Sequence, residues 1–148
     1  MKQLAAIALL TAVGCSTLTL VPADFSWPVE SELTADNAGM VKEDRYHMAF
    51  NVKPLMFDEL QDSVNISGKT FRVIRDRSGN YFVTGPKFKH VYVFVHGNAG
   101  LEQTNKIMIN EAGMANPAFN QRIPYIQLIN GREKPVLLTR DGIQQQPK

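Results

Sequence analysis

Residues 89–96 read KHVYVFVH, and no other stretch restricts the fold as much. In an extended chain Val91, Val93 and Val95 point to one side, Tyr92 and Phe94 to the other. Both sides are apolar, and β-branched and aromatic residues suit a pleated surface. A strand of this kind needs cover on each face, so it belongs inside a layered β structure.

The rest of the chain supplies the neighbours. In RYHMAFNV, Tyr46, Met48, Phe50 and Val52 alternate with Arg45, His47, Ala49 and Asn51, the period of a half-buried strand. Residues 71–74 and 81–84 read as the arms of a hairpin whose turn, DRSGN, uses Gly79 and Asn80 at positive φ. KIMIN at 106–110, PYIQLIN at 124–130 and VLLTR at 136–140 add further short strands. ADNAG at 35–39 reads as a turn, and EAGMANPAFNQR at 111–122 as a long irregular connection. KPLMFDELQDS at 53–63 is either a short helix with Leu55, Phe57 and Leu60 towards one face or a loop. Short strands separated by turns every eight to twelve residues or so predict an all-β fold. The expected form is an antiparallel β-sandwich of seven or eight short strands, with a small β-barrel as the alternative. A single β domain over 29–143 and a polar tail over 144–148 follow from the same spacing.

The N-terminus carries different information. Lys2 precedes about ten mostly apolar residues, Leu4 to Val13, too few for the roughly 20 that span a bilayer as a helix. A charged start and a short apolar core have the layout of a secretory signal. Ala12–Val13–Gly14–Cys15 then resembles the lipobox of bacterial lipoproteins, although that motif usually begins with Leu. The resemblance implies removal of residues 1–14 and lipidation of Cys15. Ser16 after the cysteine resembles the pattern of outer-membrane lipoproteins, facing the periplasm or the cell surface. Residues 15–28 become a lipid-anchored tether in which Phe25 and Trp27 pack on the domain edge or meet a partner. Cys15 is the sole cysteine, so once lipidated it leaves a domain without thiols or disulfides.

Composition narrows the function. Sixteen Lys and Arg face fourteen Asp and Glu, and loss of Lys2 brings the balance closer to zero. No strongly basic face points to nucleic acid. The chain has no GxSxG elbow, HExxH or CxxC motif, and its cysteine is already assigned. His90 and His96 lie six residues apart on one strand, roughly 20 Å at about 3.3 Å per residue, too far to share a metal. His47 stands alone. Asp36, Asn37 and Gly39 have the residue types of a calcium loop without its spacing. Asp58 and Glu59 are sequence neighbours, not an acid and base placed across a cleft. No metal or cofactor is implied.

What remains is charge. Lys87, Lys89 and His90 form a basic run, and Arg72, Arg75 and Arg77 sit on the preceding hairpin. Folded together they would make a positive patch for anionic headgroups or an acidic partner, or a charged edge that blocks unwanted sheet pairing. Trp27 is a further contact candidate. The expectation is a non-enzymatic envelope lipoprotein that binds a protein or surface component. A carbohydrate or small-ligand binder, and a hydrolase built from separated Asp, Glu and His residues, are the alternatives.

Overall fold

The computed structural model describes residues 29–98 and 100–145. The signal, Cys15 and Trp27 lie outside them. Eleven strands form: β1 (Ser31–Thr34), β2 (Met40–Glu43), β3 (Met48–Asn51), β4 (Thr70–Arg75), β5 (Tyr81–Thr84), β6 (His90–Gly97), β7 (Gly100–Met108), β8 (Pro117–Arg122), β9 (Tyr125–Asn130), β10 (Val136–Thr139) and β11 (Gly142–Gln144). One helix, α1 (Lys53–Leu60), interrupts them. The strands make open antiparallel sheets of five, four and two, ordered β1-β4-β5-β6-β7, β11-β10-β9-β8 and β2-β3. The described residues have the all-β sandwich architecture, and no barrel closes among them.

The octapeptide sets the layering. Val91, Tyr92 and Val93 are all buried, as two-sided cover requires. Registers place Ile74, Phe82 and Val93 on one face of the five-stranded sheet. That face meets Phe119, Ile126, Leu128 and Leu138 of the four-stranded sheet in one continuous core, with β4 against β8 and β7 against β11. The other face carries Leu33, Phe71, Val73, Val83, Tyr92 and Phe94. It is covered by α1 and by the β2–β3 hairpin, whose neighbour Tyr46 packs edge-on against Tyr81.

Several expectations change. Four strands beyond the seven legible in the sequence exist: β1, β2, β8 and β11. The second half of the connection at 111–122 is β8; its Pro117 is tolerated because it opens an edge strand, where a missing N–H breaks no ladder. The polar tail begins one residue late, since β11 runs to Gln144. Tyr46 is not in a strand. Residues 44–46 form a 3₁₀ turn ended by His47 at φ 50°, and only 48–51 keep the expected alternation. Asn80 does not take a positive φ; Gly79 does, at 90°. Asn80 instead donates its N–H (2.9 Å) and its amide (2.7 Å) to the Asp76 carboxylate, closing the turn. In α1 the buried face is Leu55, Met56 and Glu59, while Phe57 is 56% exposed.

β7 is longer than KIMIN because its polar first half pairs with β6 as well. Between the pairs Phe94–Gln103 and Val93–Asn105, Thr104 is an extra residue, a β-bulge. Among the described residues no helix is long and apolar enough to cross a membrane.

Candidate functional site

Two features surround the basic run, one holding it in place and one open to solvent. The first is a polar cluster beneath α1. The helix presents Glu59 to the sheet with its side chain 1% exposed. There Glu59 Oε2 accepts the Lys89 backbone N–H (2.7 Å), and Oε1 accepts the Tyr92 hydroxyl (2.8 Å) and contacts His90 Nδ1 (2.7 Å). The Tyr92 hydroxyl also reaches Asp58, whose carboxylate bonds the Lys106 ammonium at 2.6 Å. That ammonium stands 5.5 Å from the centre of the Tyr92 ring. Buried polar groups are costly unless bonded, and this network satisfies each of them from a different element.

The cluster also sets proton affinities. The hydrogen bond from Lys106, then that from Tyr92, holds the Asp58 carboxyl below its usual range. Burial, reinforced by the two carboxylates it serves, pushes the Tyr92 phenol well above its ordinary value near 10. A group whose folded pKa is raised contributes stability that is complete below its unfolded pKa and is lost as pH rises. The protein therefore loses stability above about pH 10, where unfolded tyrosine ionises. Tyr92→Phe should remove Tyr92's share of that alkaline loss while costing about 1–3 kcal/mol at neutral pH. Urea midpoints from pH 7 to about pH 11 check this; an equally steep alkaline fall in the variant would exclude Tyr92 as a source.

The second feature is the turn from Gly85 to Lys89. Lys87 adopts φ 68°, unusual for a residue with a side chain. Its N–H donates to the Met114 carbonyl (2.7 Å), and the Met114 N–H returns to the Phe88 carbonyl (2.8 Å). Beneath it a Cβ on Gly113 would lie 2.6 Å from the Lys87 carbonyl oxygen. The backbone is thus locked while the side chain stays exposed. Beside it opens a hollow of about 260 Å³, floored by Met56, Leu60, Phe71 and Phe88. Lys69 and Lys87 stand at the same hollow. β5 ends at Thr84 and the chain turns at Gly85, whose carbonyl accepts the Phe88 N–H (3.1 Å), so Lys87 sits in the β5–β6 turn while Lys69 directly precedes β4. Lys69 escaped the sequence reading. Its place directly before β4, at the end of the hairpin where Gly85–Pro86 stops the return strand, was the signal that could have found it.

The expected single patch does not form. Arg75 pairs with Tyr81 and Arg77 lies in the turn beyond, whereas Lys87 and Lys89 follow the other end of β5. The Arg75 guanidinium instead rests against Tyr46 (5.8 Å) and Tyr81 (5.5 Å), near His96, whose Nε2 meets the Tyr81 hydroxyl at 3.0 Å. Arg72 is paired with Glu30 and Glu32. Asp36 spends its carboxylate on the N–H groups of Ala38 and Met40, as a turn residue does. A second hollow, of about 350 Å³, lies between Phe50, Leu55, Val83, Phe94 and Leu101 with no charged group on its wall. Among the described residues the His90 ring hydrogen-bonds to Glu59, whose same oxygen accepts the Tyr92 hydroxyl, and no serine or threonine hydroxyl is bonded to that ring as an activated nucleophile would be.

No protein-family model, curated protein or solved structure matches the chain.

Proposed function

We propose that this protein is a non-enzymatic envelope lipoprotein, held to the outer membrane through acylated Cys15, that binds an anionic envelope component at its Lys69–Lys87 end. One observation carries the reading. Lys69 and Lys87 line the same apolar hollow, and among the described residues neither makes a direct ion pair, although Lys69 acts at longer range on the Asp62 carboxylate. Like charges gathered at one hollow repel, so an anion between them stabilises the arrangement. The engagement of Glu59 and His90 with one another and with the sheet supports binding over catalysis. The lipobox-like AVGC supports the anchor.

The test uses mature protein purified from the envelope. Its intact mass should correspond to a chain beginning at Cys15 with acyl groups attached. It should sediment with vesicles containing an anionic phospholipid, less so as salt rises. Lys69→Gln with Lys87→Gln should weaken that capture at unchanged thermal stability, because surface changes usually alter stability by less than about 0.5 kcal/mol. A chain starting elsewhere would remove the anchor from the reading. Capture at low salt that ignores the two substitutions would remove the lysine site.

A further inference from the structure

We infer that the hollow between Lys69 and Lys87 takes a single-chain anionic amphiphile, its acyl end against Phe71 and Phe88 and its carboxylate on the two ammonium groups. The inference rests on the proposed meeting of this end with an anionic component, and it names the ligand. Three observations converge on it.

Gly85 is the first. Seven of the nine described glycines adopt a positive φ, a conformation that excuses the missing side chain, but Gly85, like Gly97, does not. Its backbone would accept another residue. A Cβ there would contact the Phe71 ring at 3.4 Å and the Thr70 carbonyl oxygen at 3.5 Å, on the wall of the hollow. The absent side chain keeps the hollow open.

The second is the strain at Lys87. A left-handed backbone at a residue with a side chain costs energy and persists where its surroundings impose it. Here the Met114 hydrogen bonds and the close approach of Gly113 impose it on Lys87, a lysine that lines the hollow.

The third is the match of shape to charge. About 260 Å³ lies just below the usual range of small-molecule pockets, from about 300 Å³ upward, so it suits one chain with its head outside. Met56, Leu60, Phe71 and Phe88 supply apolar lining, and Lys69 and Lys87 on the same lining supply the charge a head group needs. The larger hollow near Phe50 and Phe94 has no charged group and selects no such head. We commit to a monomeric amphiphile taken up from solution; a lipid that stays in a bilayer is the competing source.

The experiment titrates the protein with dodecanoate below its micellar concentration, using amide and methyl nuclear magnetic resonance and calorimetry. The expected result is saturable binding with shifts at Met56, Phe71, Lys87 and Phe88. Dodecyltrimethylammonium, with the same chain and the opposite charge, should bind at least tenfold more weakly. Gly85→Leu should fill the hollow and lower dodecanoate affinity at least about tenfold, since excluding two methylenes from apolar cover has that effect. Should that variant fail to fold, the wild-type shift map decides by itself. Shifts centred on Phe50, Val83 and Phe94, equal binding of the cationic amphiphile, or no binding overturns the inference. If dodecanoate fails while anionic vesicles are still captured through Lys69 and Lys87, the monomeric ligand falls and the envelope-binding reading stands. If dodecanoate binds as described and vesicles do not, the anionic site stands with a monomeric ligand and the bilayer falls as its source.

Discussion

Replacing Glu59 by alanine is expected to cost about 3–5 kcal/mol, among the largest effects a single change can have in this chain. The residue looks like an ordinary helix-surface acid, but its carboxylate accepts from the Lys89 N–H and the Tyr92 hydroxyl and contacts His90. Alanine leaves the Lys89 N–H and His90 without those contacts in a site water barely reaches, at about 1–3 kcal/mol for each orphaned buried group. Glu59→Gln keeps an acceptor and should cost clearly less. The expected readout is a lower urea midpoint with an unchanged slope. A loss below about 1 kcal/mol would mean that α1 is held down by its apolar contacts alone.

The second large effect is expected at Phe88. Its ring is 1% exposed and meets Phe71 (5.9 Å, 69°) and Tyr92 (6.2 Å, 73°) edge-on. It also lies one residue after Lys87 and forms part of the hollow's floor. Phe88→Ala should cost about 3–5 kcal/mol through lost burial and an incompletely collapsed cavity. Because the same ring supports the strained turn, amide hydrogen exchange at Lys87 and Met114 should rise more than at β9, on the far sheet. Uniform acceleration across both sheets would mean that the turn is no weaker than the molecule as a whole.

These two residues show what the sequence could and could not convey. β6 was legible because alternation places apolar groups on both faces, and only an interior strand tolerates that. The β4–β5 hairpin was legible because Gly79 marks its turn. Glu59 was hidden: an acid on the buried side of an eight-residue helix breaks the apolar stripe that would identify the face, and Phe57 suggests the wrong one. β8 was hidden by Pro117, a strand-breaking signal everywhere except at an edge. Lys69 and Lys87, 18 positions apart, share only the lining of one hollow, and charge read along the chain groups Lys87 with Lys89 instead. Arg75 and Arg77 seemed to belong to that group because they are near in sequence; one strand of four residues is enough to part them.

The extra residue in β7 affects how copies of this molecule meet. Read outward from Thr104, the strand is nearly its own complement: Gln103 answers Asn105, Glu102 answers Lys106, Leu101 answers Ile107. A flat edge with that order would zip onto an inverted twin, acid to base and apolar to apolar. The bulge spoils the match. Gln103 lies opposite Phe94 and Lys106 opposite Tyr92, so both point to the helix-covered face, while Glu102 and Asn105 point to the other. In an inverted twin each Glu102 would therefore find its partner lysine on the wrong side of the ribbon. The symmetry written in the residues is cancelled by the backbone, and an edge nine residues long is kept from recognising itself.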